Sequence, residues 1–267
     1  MKNISILGCG WLGLPLAKSL IAKGFSVKGS TTSLEKISLL QNAGINPFLL
    51  TLSEEEISGN MDSFLSDSDI LIIDIPPKLR GNSGENFVAK IEQIIPFIEK
   101  STVNKVLFVS STSVYADDNS VITEATQPQP DTESGKQIKE AEQLLQSNAN
   151  FKTTVIRFGG LIGEDRHPIR FLAGRQQLEN PDGPINLIHQ TDCIGIIDRI
   201  IARDCFGETF NAVAPFHPTR KNYYTQKAKA LGLSLPEFDH SKTSVGKTIL
   251  SDKIETFLGY EFQNKIL

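Results

Sequence analysis

Short β-branched runs alternate with longer amphipathic stretches over the first 160 residues. Residues 4–7, 25–29, 47–52, 70–73, 106–109 and 153–156 have the continuous apolar character of buried strands. Between them, residues 14–23, 34–43, 54–65, 85–99 and 136–146 carry apolar side chains at three- and four-residue spacing, as amphipathic helices do. Such alternation predicts an α/β architecture, a doubly wound parallel sheet with helices on both faces. Past Arg157 the rhythm breaks and Gly and Pro concentrate over residues 159–184. Strands at 186–188 and 209–213 and helices at 191–202, 220–231 and 251–258 are expected next. The predicted division is residues 1–157 as one domain and 158–267 as a small C-terminal substrate lobe interleaved with the last strands of the sheet.

Gly8-Cys9-Gly10-Trp11-Leu12-Gly13 lies directly after the first predicted strand and directly before the first helix. That context makes GxGxxG the signature of a Rossmann-type dinucleotide site. Gly8 permits the tight turn, Gly10 lets backbone meet a pyrophosphate, and Gly13 lets the helix approach the strand. The amides of Trp11 and Leu12 then face the anion at the helix N-terminus. Pro15 falls in the first turn, where its missing N–H costs little.

An NAD site places Asp or Glu about 20 residues after the glycines to hold the ribose 2′-hydroxyl. Here the second strand ends in Ser30, Thr31, Thr32 and Ser33. Glu35 is the nearest acid, but Thr32-Ser33-Leu34-Glu35 reads as the capping box of the next helix. Hydroxyl residues with Lys36 nearby leave room for a 2′-phosphate, so NADP is expected ahead of NAD. Ile75, Pro76 and Pro77 would lie at the C-terminal edge of the sheet beside the cofactor. Asp74 reads as a strand-end carboxylate satisfied by loop N–H groups.

Composition narrows the classes of partner. The 267 residues carry 27 Lys and Arg against 31 Asp and Glu, a net charge of −4, and the pI is near 5.7. Nucleic acid and anionic membrane both call for a concentrated basic face, and none is present. Three cysteines with no CxxC support neither a disulfide framework nor a thiolate zinc site, and the four histidines lack ligand spacing. No metal is expected, and a reduced, cytoplasmic setting fits best. Lys2 followed by an apolar stretch resembles an export signal, but Cys9 stands too early for an h-region to precede it. Neither a targeting segment nor a membrane span is expected.

Phe108-Val109-Ser110-Ser111-Thr112-Ser113-Val114-Tyr115 resembles the fifth strand and active-site turn of extended short-chain dehydrogenases/reductases, in their epimerase/dehydratase branch. Ile188-His189-Gln190-Thr191-Asp192 is similar to the branch's IHxxD segment, and residues 207–212 to its late strand. Gly10-Trp11-Leu12-Gly13, Gly163-Glu164-Asp165-Arg166-His167-Pro168 and His217-Pro218-Thr219-Arg220 look like an atypical bacterial epimerase-like subgroup. The resemblance spans the whole chain. It implies a Ser acting with the Tyr and Lys of a YxxxK motif, the Tyr exchanging a proton with a substrate oxygen.

Ser111 takes the Ser position, but the Tyr is missing. Counting back from Lys136 gives Thr132, and aligning on Ala141-Glu142 gives Ser134 with Ile138 in place of Lys. Thr112-Ser113 stands where dehydratases carry an Asp-Glu pair. Tyr115 is therefore the expected replacement acid/base, with Lys136 or His167 as helper. Arg166, His167 and Arg170 lie in the loop that in the family faces substrate, which suggests an anionic substrate group. Asp192 is expected to cap the helix beginning near Thr191.

The leading reading is an NAD(P)-dependent oxidoreductase or epimerase of the atypical extended short-chain type, acting on a small anionic metabolite. A β-hydroxyacid dehydrogenase begins similarly but requires a long all-helical C-terminal domain. A non-catalytic NAD(P)-binding redox sensor or scaffold would account for the missing Tyr. Oligomeric state is not encoded in these patterns.

Overall fold

The computed structural model describes residues 2–77 and 84–265. β1 (Asn3–Leu7) passes through the glycine turn into α1 (Gly13–Ala22), which buries Leu16, Ala17 and Leu20. β2 (Ser26–Thr31), a 3-10 turn at Leu34–Lys36, α2 (Ile37–Asn42) and β3 (Asn46–Leu49) follow. A short antiparallel hairpin pairs β4 (Thr51–Leu52) with β5 (Ile57–Ser58) before α3 (Met61–Leu65). β6 (Ile70–Ile73), α4 (Phe87–Lys100), β7 (Lys105–Ser111), β8 (Val121–Ile122), α5 (Glu133–Ser147) and β9 (Lys152–Phe158) complete the alternation. The remainder comprises β10 (Gly160–Ile162), α6 (Ile169–Leu172), β11 (Leu187–His189), α7 (Gln190–Arg203), β12 (Thr209–Ala212), α8 (Arg220–Ala230), β13 (Thr248–Ile249) and α9 (Asp252–Thr256).

The central sheet is parallel throughout, in the order β12-β9-β7-β6-β1-β2-β3. The strand order reverses between β1 and β6, and a crevice opens there beyond the carboxyl ends of the strands. This is the doubly wound arrangement that the alternation predicts. Leu16, Leu20, Ile196, Ile200 and Ile254 pack on one face of the sheet. Phe64, Ile91, Ile98, Ala141 and Leu145 pack on the other. Asp198 ties α7 to α1 by pairing with Lys23 and accepting the Ser19 hydroxyl at 2.8 Å.

After β9 the chain builds a mixed lobe around Ile162, Ile169, Ile185, Tyr223 and Tyr224. Strands β10 and β11 pair within it, β13 pairs with β8, and β12 returns to the main sheet. This mixture removes the β-hydroxyacid dehydrogenase reading, which needs an all-helical domain.

Local expectations fail at the starts of α3 and α7. The helix expected over 54–65 starts at Met61, because Ser53 Oγ accepts the amide of Glu56 at 3.0 Å and folds the acidic run into the hairpin. Asn60 then caps α3 by accepting the Ser63 amide at 2.8 Å. The cap of α7 is His189, whose ring accepts from the Thr191 amide, and not Asp192. Asp192 is buried inside the first turn. It accepts the Tyr260 hydroxyl at 2.8 Å and the Gln263 amide at 2.7 Å, anchoring the C-terminal segment. Among the described residues, no helix is long and apolar enough to cross a membrane.

Candidate active site

The glycine turn sits where the strand order reverses. Gly8 has φ +108°, and a Cβ there would stand 2.2 Å from the Asp74 carbonyl oxygen. A Cβ on Gly13 would stand 2.2 Å from the Gly8 carbonyl oxygen, so the start of α1 is drawn tightly onto β1. Gly10 differs: a Cβ on it would meet no atom within 4 Å. Two of these glycines are demanded by the chain itself, and the third leaves space open above the turn. Cys9 points inward, and burial pushes its thiol up to about 12, which makes it a packing residue and not a nucleophile.

A cavity opens beside the turn between the ends of β1, β2 and β6. Ser30, Thr31, Thr32 and Lys36 line its β2 side, while Asp74, Ile75 and Pro76 line the β6 side. Pro77 follows directly, half-buried. Ser30 Oγ accepts the Gly8 amide at 2.8 Å, and Thr31 Oγ1 accepts the Ser33 amide at 3.1 Å. Each hydroxyl keeps its own hydrogen to donate. The capping box expected at residues 32–35 does not form: Ser33, not Thr32, takes the cap position, and it makes no side-chain cap bond. Lys36 is exposed at the cavity rim.

The loop after β10 latches onto the opposite side of the turn. Trp11 Nε1 donates to Asp165 Oδ1 at 2.9 Å, and Gln190 Nε2 donates to the Trp11 carbonyl at 2.7 Å. Arg166 stacks its guanidinium 4.9 Å from the Trp11 ring centroid, a cation–π contact that holds the charge against the turn. The three residues expected to face substrate together are separated. Arg170 is exposed on α6, and His167 turns into the lobe.

The His167 Nδ1 accepts the Ile169 amide at 3.1 Å, so its Nε2 carries the proton donated to the Tyr223 hydroxyl at 2.9 Å. Burial, helped by Lys227 and Arg170, pushes the imidazole down from 6.5 to about 4. The unfolded chain therefore takes up this proton more readily than the folded one. The stability contributed by His167 is complete above pH 6.5 and is lost as pH falls toward 4. Thermal melts between those values are expected to fall more steeply for the parent than for His167→Gln; parallel profiles would show that His167 does not govern the acid limb.

Ser111 ends β7 half-buried, its Oγ accepting the Ser113 amide at 3.1 Å. Lys136 is exposed in the first turn of α5, whose cap is Thr132 through the Gly135 amide at 3.1 Å. Gly135 lies against the Ser113 carbonyl, so the helix start abuts the turn after Ser111.

Tyr115 does not join these two. It is 1% exposed, and its hydroxyl accepts from Arg157 Nη1 at 2.6 Å and donates to Asn211 Oδ1 at 3.0 Å. Burial raises its pKa despite the neighbouring Arg157. The hydroxyl expected as the acid/base thus sits in the core, bonded to Arg157 and Asn211.

The network around Tyr115 went unread in the sequence. Arg157 pairs with Glu142 through Nη2 at 2.6 Å and Nε at 2.9 Å, and Ser110 donates to the same carboxylate at 2.5 Å. Its one signal is an arginine inside the apolar strand Thr153-Thr154-Val155-Ile156-Arg157-Phe158, which requires a buried partner.

No family model matches the chain. It is 36% identical to Protein YeeZ of Escherichia coli (strain K12) over 266 residues, covering 98% of this chain and 96% of that protein. The chain belongs to the YeeZ family. The fold of this YeeZ-family chain also matches a conserved protein from Silicibacter pomeroyi with a TM-score of 0.79 at 22% identity, over 98% and 94% of the two chains. It matches the UDP-glucuronic acid 4-epimerase of Bacillus cereus, solved with UDP-glucuronic acid and NAD, with a TM-score of 0.80 at 16% identity, over 98% and 94%. The fold is thus shared with these proteins and with a short-chain dehydrogenase/reductase superfamily protein from Agrobacterium tumefaciens (TM-score 0.79 at 16% identity), while Thr132 stands four residues before Lys136. Among the described residues, no group of three or more His, Cys, Asp or Glu is placed to hold a metal ion.

Proposed function

We propose that the protein binds NADP(H) in the crevice at the glycine turn and uses it as an oxidoreductase or epimerase on a small anionic metabolite. The observation that carries this reading is Gly10, whose face is open while its neighbours are closed by backbone. The amides of Trp11 and Leu12 would meet the pyrophosphate, with Arg166 beside them on the Trp11 ring. Thr32 and Lys36, at the rim of the cavity, would take a 2′-phosphate, and Ile75, Pro76 and Pro77 would flank the other half of the cofactor. A bound nicotinamide supplies or accepts hydride. Ser111 would hold the substrate oxygen, Lys136 would serve its proton, and Arg170 would meet the far anionic end.

With no acid at the end of β2, NADPH is expected to bind more tightly than NADH. Lys36→Glu should cut that preference about tenfold, ~1.4 kcal/mol. Calorimetry with both cofactors decides it; a tenfold NADH preference in the parent would overturn the NADP assignment. Reduced-cofactor consumption over a panel of anionic metabolites, including nucleotide sugars, tests the chemistry. A second reading rests on the burial of Tyr115: a chain that binds dinucleotide without turning it over, as a redox sensor or scaffold. Tight NADPH binding with no turnover on any panel member favours it.

A further inference from the structure

Asp74 follows β6, and its carboxyl turns beneath the glycine turn. It lies against Gly13, in the first turn of α1, where a Cβ would stand 3.1 Å from the Asp74 Oδ2. The backbone carbonyl of the same residue closes against Gly8. Its side chain also lines the cavity shared with Gly10 and Ser30. The group on the floor of the proposed pyrophosphate site is therefore itself an acid, lodged at a helix N-terminus whose amides favour anions.

We propose that Asp74 is a positioning residue that makes dinucleotide binding depend on a proton: the neutral carboxyl admits the pyrophosphate and the carboxylate repels it. This rests on the dinucleotide reading above. The ionisable groups facing Asp74 are Cys9 in the glycine turn, Cys193 on α7 and Arg166 in the latching loop. Lys36 and Lys90 line the same cavity, and Lys90 is paired with Glu85.

Burial holds the Asp74 carboxyl up at about 8, against the weaker downward pull of the Gly13 amide and Arg166. Burial pushes the Cys9 thiol up to about 12 and the Cys193 thiol well above its ordinary range, so neither ionises in this window. Asp74 is thus neutral at pH 7 and becomes charged as pH rises through about 8. The affinity should fall in the same direction, since bringing two like charges together in a partly closed cavity is unfavourable.

The probe is NADH, whose phosphates stay ionised throughout. It is titrated into the parent and into Asp74→Asn between about pH 6.5 and 9.5, with circular dichroism confirming the fold at both ends. The parent is expected to weaken about tenfold or more across that range, and Asp74→Asn to stay flat and bind about tenfold tighter than the parent at the alkaline end. A flat parent profile with measurable binding would overturn the role of Asp74 and leave the dinucleotide reading intact. An unchanged slope in Asp74→Asn would do the same. Should neither protein bind NADH or NADPH at any pH, the dinucleotide reading falls and this inference falls with it.

Discussion

A Gly10→Val protein is expected to fold and melt like the parent while losing about 100-fold or more in NADPH affinity, ~2.7 kcal/mol. The contrast among the three glycines of the turn gives this result its force. Gly8 adopts φ +108°, and both Gly8 and Gly13 would place a Cβ 2.2 Å from backbone oxygen. Alanine at either position must break the turn or move α1, and a loss of binding there would say nothing about a ligand. Gly10 has no positive φ, and a Cβ on it meets no protein atom within 4 Å. A valine at this position therefore takes up space that the folded chain leaves open, at little cost to the fold. Calorimetry on the folded variant reads the effect directly. Unchanged NADPH affinity would remove the central functional claim, because the open face of Gly10 would then have no occupant of that kind.

The same turn shows how far the sequence can be read. The parallel order of β1, β2, β3, β6, β7 and β9 follows from alternation of apolar runs and helical periods, a local signal repeated along the chain. GxGxxG was legible because its place between strand and helix was legible too. What failed is where a short-range pattern had two uses. Glu54, Glu55 and Glu56 suit a helix, but Ser53 Oγ takes the amides of Glu55 and Glu56, and Gly59, at φ +106°, turns the chain before α3 can start. The residues 32–35 match a capping box, but the turn at Leu34–Lys36 starts one residue later, with Ser33 at the cap position and no side-chain cap bond.

Longer range hid more. His167, Asp192 and Tyr115 sit in segments that resemble a family's functional motifs, while the groups that decide their roles lie far along the chain. Tyr223 is 56 residues from His167, Tyr260 is 68 from Asp192, and Arg157 is 42 from Tyr115. Burial and partnership of this kind are tertiary facts, and a motif read along one segment carries no trace of them.

The last of these pairs makes the second large prediction. Arg157 and Glu142 are 6% and 2% exposed, and their bidentate pair is completed by Ser110 and Tyr115. Arg157→Leu leaves the Glu142 carboxylate buried with one hydroxyl donor, which should cost about 3–5 kcal/mol of stability. Replacing both partners by apolar residues should cost much less, since no charge is then stranded. Tyr115→Phe keeps the ring but removes the oxygen that Arg157 Nη1 meets and the donor to Asn211. Because the Asn211 Nδ2 is already without a partner, the loss should be felt, at about 1–3 kcal/mol.

Urea unfolding of the three variants, read beside NADPH affinity and turnover on any identified substrate, separates a core role from a catalytic one. Stability should fall in the order Tyr115→Phe, then Arg157→Leu, with cofactor affinity and rate per folded molecule unchanged for Tyr115→Phe. A Tyr115→Phe protein of unaltered stability whose rate drops by about 10²- to 10⁴-fold, as loss of a general acid does, would return this tyrosine to the pocket. The hydroxyl would then have to leave Arg157 during the reaction, and the buried network would be the resting state of a mobile acid.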